Sequence, residues 1–336
     1  TQKYYWGYKK NCEMKFNKPK FWDIKKPNLV ALLLIPLTLP ILLNNLLRKF
    51  KKRKKYPDIF SICIGNIYVG GTGKTPLAIK SNNLLNAEKL NSVIIKKFYK
   101  NQLDEQLLIK KYSNLICKEK RLDAIKEANL KKFKYAIFDD GLQDKSLDYN
   151  LKIVCFNNLQ WIGNGLIIPA GPLREKVDSI KEYDAVVING DPKLNENLIA
   201  ELKRIKNNLK IFETNYEISN INDFDRKLNY VIFSAIGNPK NFLKLLKENN
   251  FNILKQFIFP DHYIYSDKDI ESIINYSKSN NLKIITTEKD YLKINEKFLN
   301  EINILKLDIK ILNEKKFKNF LIEKQWKLLI IYYNIF

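Results

Sequence analysis

The segment that most restricts this chain is Gly70-Gly71-Thr72-Gly73-Lys74-Thr75. It follows the apolar run Ile59–Ile64 and opens a stretch of helical character. A glycine-rich turn between a strand and a helix implies a parallel α/β sheet and a loop whose backbone N–H groups curl around phosphate oxygens. The helix N-terminus adds a dipole that favours the anion. In such a loop Gly70, Gly71, Thr72 and Gly73 cradle the phosphates, Lys74 bridges the β- and γ-phosphates, and Thr75 ligates Mg²⁺. The strict pattern has glycine where this chain has Tyr68, so the match is to the GKT half.

A second motif agrees with the first. Tyr135–Phe138 is an apolar run that ends in Asp139-Asp140-Gly141, about 65 residues beyond the loop lysine. Carboxylates at the carboxyl end of a strand are where an α/β nucleotide site holds its metal. Farther on, Gly163-Asn164-Gly165 and Pro169–Glu175 form a loop dense in glycine and proline that ends in Arg174-Glu175. Beside a nucleotide, Arg174 would neutralise phosphate and Glu175 would help hold Mg²⁺.

Around these motifs, short apolar runs alternate with helical segments. Strands are expected at Ile59–Ile64, Val93–Lys97, Tyr135–Phe138, Leu151–Phe156 and Ala185–Ile188. A second series is expected at Tyr230–Ala235, Ile253–Phe259, Ile284–Thr287 and Ile302–Leu307, with a helix at Asn241–Asn249. Ser266 and Asp269 form a capping-box start for another helix, running to about Asn280. The alternation implies βαβ units and parallel sheets. The lysine- and asparagine-rich stretch Pro192–Asn208 marks the expected boundary between two α/β domains. The expected division is 14–55 for a membrane-associated segment, 56–200 for the P-loop domain and 201–336 for a second domain. Met14 is the only methionine, and residues 1–13 are read as an upstream extension.

The membrane reading rests on Pro27 to Leu47, 21 residues without a charge. About 20 helical residues at 1.5 Å each reach across a bilayer core. Pro36 and Pro40 argue for a kinked or broken helix. Arg48 to Lys55 follows, with seven basic residues in eight. Such a run beside an apolar segment suits an anionic lipid surface.

The whole chain carries 59 lysines and arginines against 36 acids, a net charge of +23. That balance favours an anionic partner. The densest basic run flanks the apolar segment rather than interleaving with aromatics, so lipid is expected and nucleic acid is not. Nothing in the sequence points to an obligate protein partner. The four cysteines contain no CxxC pair, which excludes zinc ribbons and redox motifs. A single histidine excludes a multi-histidine metal centre. A membrane-associated GTPase is the alternative P-loop reading, but Thr287-Glu288-Lys289-Asp290 has the wrong order for a guanine motif.

Six segments, read in order, resemble one family. IGNIYVGGTGKTP (64–76), FDDGLQ (138–143), GNGLIIPAGPLRE (163–175), IGNP (236–239), FPDH (259–262) and TTEKD (286–290) are similar to the motifs of the tetraacyldisaccharide 4′-kinases, the lipid A 4′-kinases. The resemblance covers roughly 14–295. It implies ATP- and Mg²⁺-dependent phosphorylation of the 4′-hydroxyl of a tetraacylated glucosamine disaccharide 1-phosphate. The product is lipid IVA, made at the cytoplasmic face of the Gram-negative inner membrane against its anionic lipids. It also implies a P-loop NTPase-like α/β/α domain facing a second α/β/α domain across a cleft. Residue by residue, Lys74 and Thr75 match the phosphate-loop lysine and the magnesium threonine. Asp139 and Asp140 match the Walker B acids, and Glu175 matches the glutamate near the metal. Asp104, in LDEQLLI, matches the family's catalytic aspartate, and His262 its partner. The carboxylate would take the hydroxyl proton while the imidazole orients it or spreads its charge. Two departures stand out: the stretch before Asp104 is compressed to KKFYKNQL, and Asp144 replaces the histidine that usually closes the DDG motif.

Overall fold

In a computed structural model, the protein is described over residues 18–50 and 52–333. The proposed extension 1–13, with Cys12, and the lone Met14 lie outside these residues.

The large lobe is built on an eight-stranded sheet. Its strands are β1 (Phe60–Gly65), β2 (Ser92–Lys97), β3 (Leu115–Lys118), β4 (Tyr135–Asp139), β5 (Leu151–Asn157), β6 (Ala185–Asn189), β7 (Lys210–Ile218) and β12 (Leu307–Ile311). The spatial order is β12-β7-β6-β5-β1-β4-β2-β3, and every pair but β12–β7 is parallel. β1 lies between β4 and β5, so the P-loop leaves the centre of the sheet and Asp139 ends the neighbouring strand.

The interior strands read as continuous apolar runs because both faces are covered. Ile62 and Ile64 of β1 pack with Leu77 and Leu85 of α3 (Lys74–Ala87), Ile109 of α4 (Leu103–Tyr112) and Phe317 of α10 (Glu314–Tyr333). Ile59 and Cys63 face the opposite layer, with Ala124 and Ala128 of α5 (Arg121–Leu130) and Leu202 of α6 (Glu196–Ile205). Full burial of each such isoleucine contributes roughly 1.5–3 kcal/mol.

The small lobe has four parallel strands in the order β11-β10-β8-β9, with β8 at Asn229–Ser234, β9 at Asn252–Ile258, β10 at Lys283–Thr287 and β11 at Ile302–Leu305. α7 (Pro239–Glu248) covers one face through Phe242 and Leu246, and α8 (Asp267–Ser279) covers the other through Ile270 and Ile273. α8 starts at the Ser266–Asp269 capping box, and Asn238 caps α7 ahead of Pro239. The short α9 (Glu288–Tyr291) follows β10.

Two expectations are corrected here. The boundary between 200 and 201 does not hold, because β7 pairs in register with β6, Ala185 opposite Lys210, and β12 returns to pair with β7. The large lobe therefore comprises 56–218 and 307–333, and the small lobe, 219–306, is inserted into it. The two crossings lie side by side, with the Ser219 N–H donating to the Lys306 carbonyl at 3.0 Å. The expected strand Ile302–Leu307 is likewise two strands, one in each sheet.

The apolar N-terminal run is broken, as Pro36 and Pro40 predict. It forms three short pieces: α1 (Leu29–Leu33), a 3₁₀ turn at Ile35–Thr38 and α2 (Leu39–Lys49). Pro36 and Pro40 each sit in the first positions of a new segment, where a missing N–H does no harm. Among the described residues no helix is long and apolar enough to cross a membrane.

Candidate active site

β1 delivers the chain into the phosphate loop. Gly73 has φ +86°, a left-handed conformation that glycine adopts without cost, and Lys74 begins α3 directly after it. A Cβ at Gly73 would also come within 2.9 Å of the Asn189 amide nitrogen. The loop borders a cavity of about 850 Å³ between the lobes. Lys74, Thr75, Asp140 and Arg174 line it from the large lobe, and Gly237, Asn238, His262 and Lys289 from the small lobe. Asn157, Asn189 and Tyr216, at or beyond the middle of β5, β6 and β7, complete the wall.

The acids at the end of β4 are held by cations. The Thr75 hydroxyl donates to Asp139 Oδ2 at 2.9 Å, and Lys96 Nζ donates to the same oxygen at 2.7 Å. Asp140 lies 3.2 Å from the Arg174 guanidinium and 3.9 Å from Lys74 Nζ. Burial would raise the Asp140 carboxyl, but Lys74, Arg174 and Lys96 outweigh it and hold the group below the usual carboxylate range. Glu175 sits differently. It is buried, and its carboxylate accepts the Tyr183 hydroxyl at 3.0 Å and the Gln143 amide at 3.1 Å. It connects to the Asp140 side through Gln143, whose carbonyl faces Arg174 at 3.4 Å.

A magnesium ion suits these donors. Asp139 Oδ1 is a buried oxygen without a hydrogen-bond partner, and the Thr75 hydroxyl lies on the same carboxylate. Mg²⁺ takes hard oxygen ligands, commonly one or two carboxylates completed by substrate phosphates. Among the described residues no cluster of three or more His, Cys, Asp or Glu forms a self-sufficient cage. The Thr72 hydroxyl is a second buried group without a partner, within the phosphate loop itself.

Across the cleft, Asp104 and His262 meet. Asp104 is on the first turn of α4, 2% exposed, and His262 follows β9 with φ +59°. Nδ1 of the imidazole is 3.0 Å and 3.1 Å from the two carboxylate oxygens. Burial would raise the Asp104 carboxyl, yet the His262 hydrogen bond and the nearby Lys289 and Lys293 charges bring it below the usual range. Lys289 Nζ lies 3.5 Å from Asp104, 3.6 Å from Glu105 and 3.4 Å from Asp261. Glu288 anchors the same region from the small lobe, accepting the Tyr112 hydroxyl at 2.6 Å and pairing with Lys111, both on α4. The phosphate loop also touches the small lobe, since a Cβ at Gly237 would lie 3.0 Å from the Gly71 nitrogen.

Two features went unassigned in the sequence. Lys96 was only the end of a strand, yet its ammonium is buried between Asp139 and Glu105. Two adjacent lysines closing an apolar strand were the available signal. Lys289 carried no role, and the structure brings it into the carboxylate cluster. Thr287 caps the following helix α9, its hydroxyl accepting from the Asp290 N–H. Asp144, in the place of the family histidine, pairs with Arg121 at 3.1 Å and bonds Ser146.

Residues 30–325 match the sequence profile of the LpxK family, described as tetraacyldisaccharide-1-P 4′-kinase. The tetraacyldisaccharide 4′-kinase of Pelagibacter ubique (strain HTCC1062) is 47% identical over 315 residues, covering 92% of this chain and 98% of the relative. That of Rickettsia canadensis (strain McKiel) is 34% identical over 325 residues, covering 89% and 96%. The crystal structure of LpxK from Aquifex aeolicus in complex with ATP superposes with a TM-score of 0.66 at 24% identity, over 88% of this chain and 99% of that one. The match reaches from the apolar N-terminal segment to the covering helix α10, and this chain belongs to the tetraacyldisaccharide-1-phosphate 4′-kinase family.

Proposed function

We propose that this protein transfers the γ-phosphoryl group of ATP to the 4′-hydroxyl of a tetraacyldisaccharide 1-phosphate, giving lipid IVA. The observation that carries this reading is the Asp104–His262 pair, which joins the two lobes and whose imidazole lines the cavity that the phosphate loop borders. Family membership supplies the substrate class.

In this mechanism Gly70, Gly71, Thr72 and Gly73 present backbone donors to the phosphates, and Lys74 and Arg174 neutralise their charge. Thr75, Asp139 and Asp140 would hold Mg²⁺, and Glu175 would support the site from behind through Gln143 and Arg174. The ion supplies charge stabilisation to the transferring phosphoryl group. Asp104 accepts the 4′-hydroxyl proton. His262 orients that carboxylate, and Lys289 keeps it ionised. Contact between the lobes excludes water from the transfer.

The acceptor is a lipid, and the N-terminal segment offers a surface for it. Leu29, Leu33, Leu37, Leu39 and Leu43 are exposed on α1, the 3₁₀ turn and α2, with Leu33 71% accessible. Ile41 and Leu42 point inward against Tyr68 and Leu173. Such short amphipathic pieces lie in the plane of a membrane. The basic flank adds about 1 kcal/mol per residue on an anionic leaflet. We place the protein on the cytoplasmic face of the inner membrane by this surface, against anionic lipids, with no role for nucleic acid.

The test incubates purified protein with ATP, Mg²⁺ and the disaccharide 1-phosphate and looks by mass spectrometry for one added phosphate at the 4′ position. Hydrolysis of ATP without phosphorylated lipid would favour the general P-loop NTPase reading instead.

A further inference from the structure

Lys96 occupies an unusual position for a lysine. Its side chain is 3% exposed, and its ammonium lies 2.7 Å from Asp139 and 2.6 Å from Glu105. Buried lysine is rare unless paired, and here one cation serves two buried or half-buried acids. One of those acids ends β4, where the metal is held. The other is the immediate neighbour of Asp104. On Asp139, Lys96 and Thr75 share Oδ2, and Oδ1 has no partner.

The rest of the charge balance points the same way. Asp140 faces Lys74 and Arg174, and Glu105 faces Lys289 as well as Lys96. The carboxylates Asp139, Asp140 and Glu105 are therefore already matched by the cations Lys96, Lys74, Arg174 and Lys289. A divalent ion arriving alone would meet a nearly neutral site with an ammonium already on its principal ligand. The nucleotide brings several negative charges of its own, and these change the balance in favour of the ion.

We propose that Lys96 is the resting counter-ion of the metal site, holding Asp139 and Glu105 until Mg²⁺ enters as its nucleotide complex rather than ahead of it. This rests on the assignment of Thr75 and Asp139 to the metal. Lys96 touches neither lipid nor phosphate in this role. It is a positioning residue that also sets the order of loading.

The test is Mn²⁺ binding to the full chain, read by electron paramagnetic resonance. Without nucleotide, wild-type protein should bind Mn²⁺ weakly, and a non-hydrolysable ATP analogue should produce a clear protein-bound signal. Lys96→Met and Lys96→Gln, checked for folding by circular dichroism, should bind Mn²⁺ without nucleotide at least about tenfold more tightly, because a positive charge has left the ligand. Lys97→Met, on the same strand, should leave that affinity unchanged. Unaltered Mn²⁺ affinity in a folded Lys96 variant, or an equal gain in Lys97→Met, would overturn the proposal. So would tight Mn²⁺ binding by nucleotide-free wild type, with Kd below about 10 µM, and this arm stands even if neither Lys96 variant folds. No protein-bound Mn²⁺ even with the analogue would instead reject the metal assignment beneath it.

Discussion

The imidazole Nδ1 of His262 lies 3.0 Å from the Asp104 carboxylate, although 158 residues separate them in the chain. Asp104 belongs to the large lobe and His262 to the insert, so this contact depends on the two lobes facing each other. Asp104→Ala and His262→Ala should each lower kcat by about 10²-fold or more with little change in the KM for ATP. The double variant should be scarcely worse than the poorer single one, because the two act as a unit. Steady-state kinetics on all three variants checks this, and losses that multiply would mean that the residues work independently.

Lys74→Ala and Thr75→Ala should nearly abolish turnover, since phosphoryl transfer depends on positioning and charge neutralisation. Retention of more than about a tenth of wild-type kcat, a loss below about 1.4 kcal/mol, would remove the phosphate loop from the mechanism.

Gly237→Ala tests the contact between the phosphate loop and the insert. The new methyl would stand 3.0 Å from the Gly71 nitrogen and 3.1 Å from Asp261. The loops must separate by a few tenths of an ångström. We expect kcat to fall and the ATP KM to rise while the melting temperature stays within a few degrees, the pattern of a misplaced but folded site. Unchanged kinetics would show that the approach of the two loops is incidental.

Replacing Leu33, Leu37, Leu43 and Leu47 together by serine should move the protein from sedimenting anionic vesicles to the supernatant. Nucleotide binding, measured by titration calorimetry, should persist. High salt should release the wild type in part, as the basic flank is screened. Full sedimentation of the quadruple variant would assign membrane contact to another surface.

Acidification should weaken the folded state in a defined window. The carboxyls of Asp104, Glu105 and Asp140 all lie below their ordinary values; burial would raise each, and neighbouring cations or the His262 hydrogen bond outweigh it. A carboxyl lowered by folding contributes stability that is complete above its unfolded value and is lost as pH falls through the folded one. The melting temperature should therefore show no loss from these groups between about pH 6 and 8 and should drop below about pH 4, near the ordinary values of 3.8 and 4.5. A melting temperature that held steady down to pH 2 would contradict the pairings.

The central strands were legible in the sequence because both of their faces are buried, so Phe60–Gly65 and Leu151–Asn157 are nearly unbroken apolar runs. β7 was missed for the opposite reason. Glu213, Asn215 and Glu217 interrupt it, and Asn215 and Tyr216 line the cavity, Tyr216 while also packing against the core. β12 alternates along Leu307–Ile311 at the edge of the sheet, and its length alone did not separate it from β11. The phosphate loop and the DDG acids were legible because close backbone approach to phosphate demands glycine at fixed spacing. Lys96 was not, since its meaning comes from Asp139 and Glu105, which lie near it only once β2 pairs with β4.

The side-by-side crossings at Ser219 and Lys306 carry a consequence for how this chain is made. A ribosome releases β1 to β7 first, then the whole insert, and only afterwards β12 and α10. Until those last residues emerge, β7 has an open edge and Leu77 and Leu85 lack Phe317 and Leu321 above them. The nascent large lobe therefore waits, unsealed, while the insert completes itself, and a truncation just past residue 306 would release a protein that contains every residue assigned to catalysis and still exposes its core.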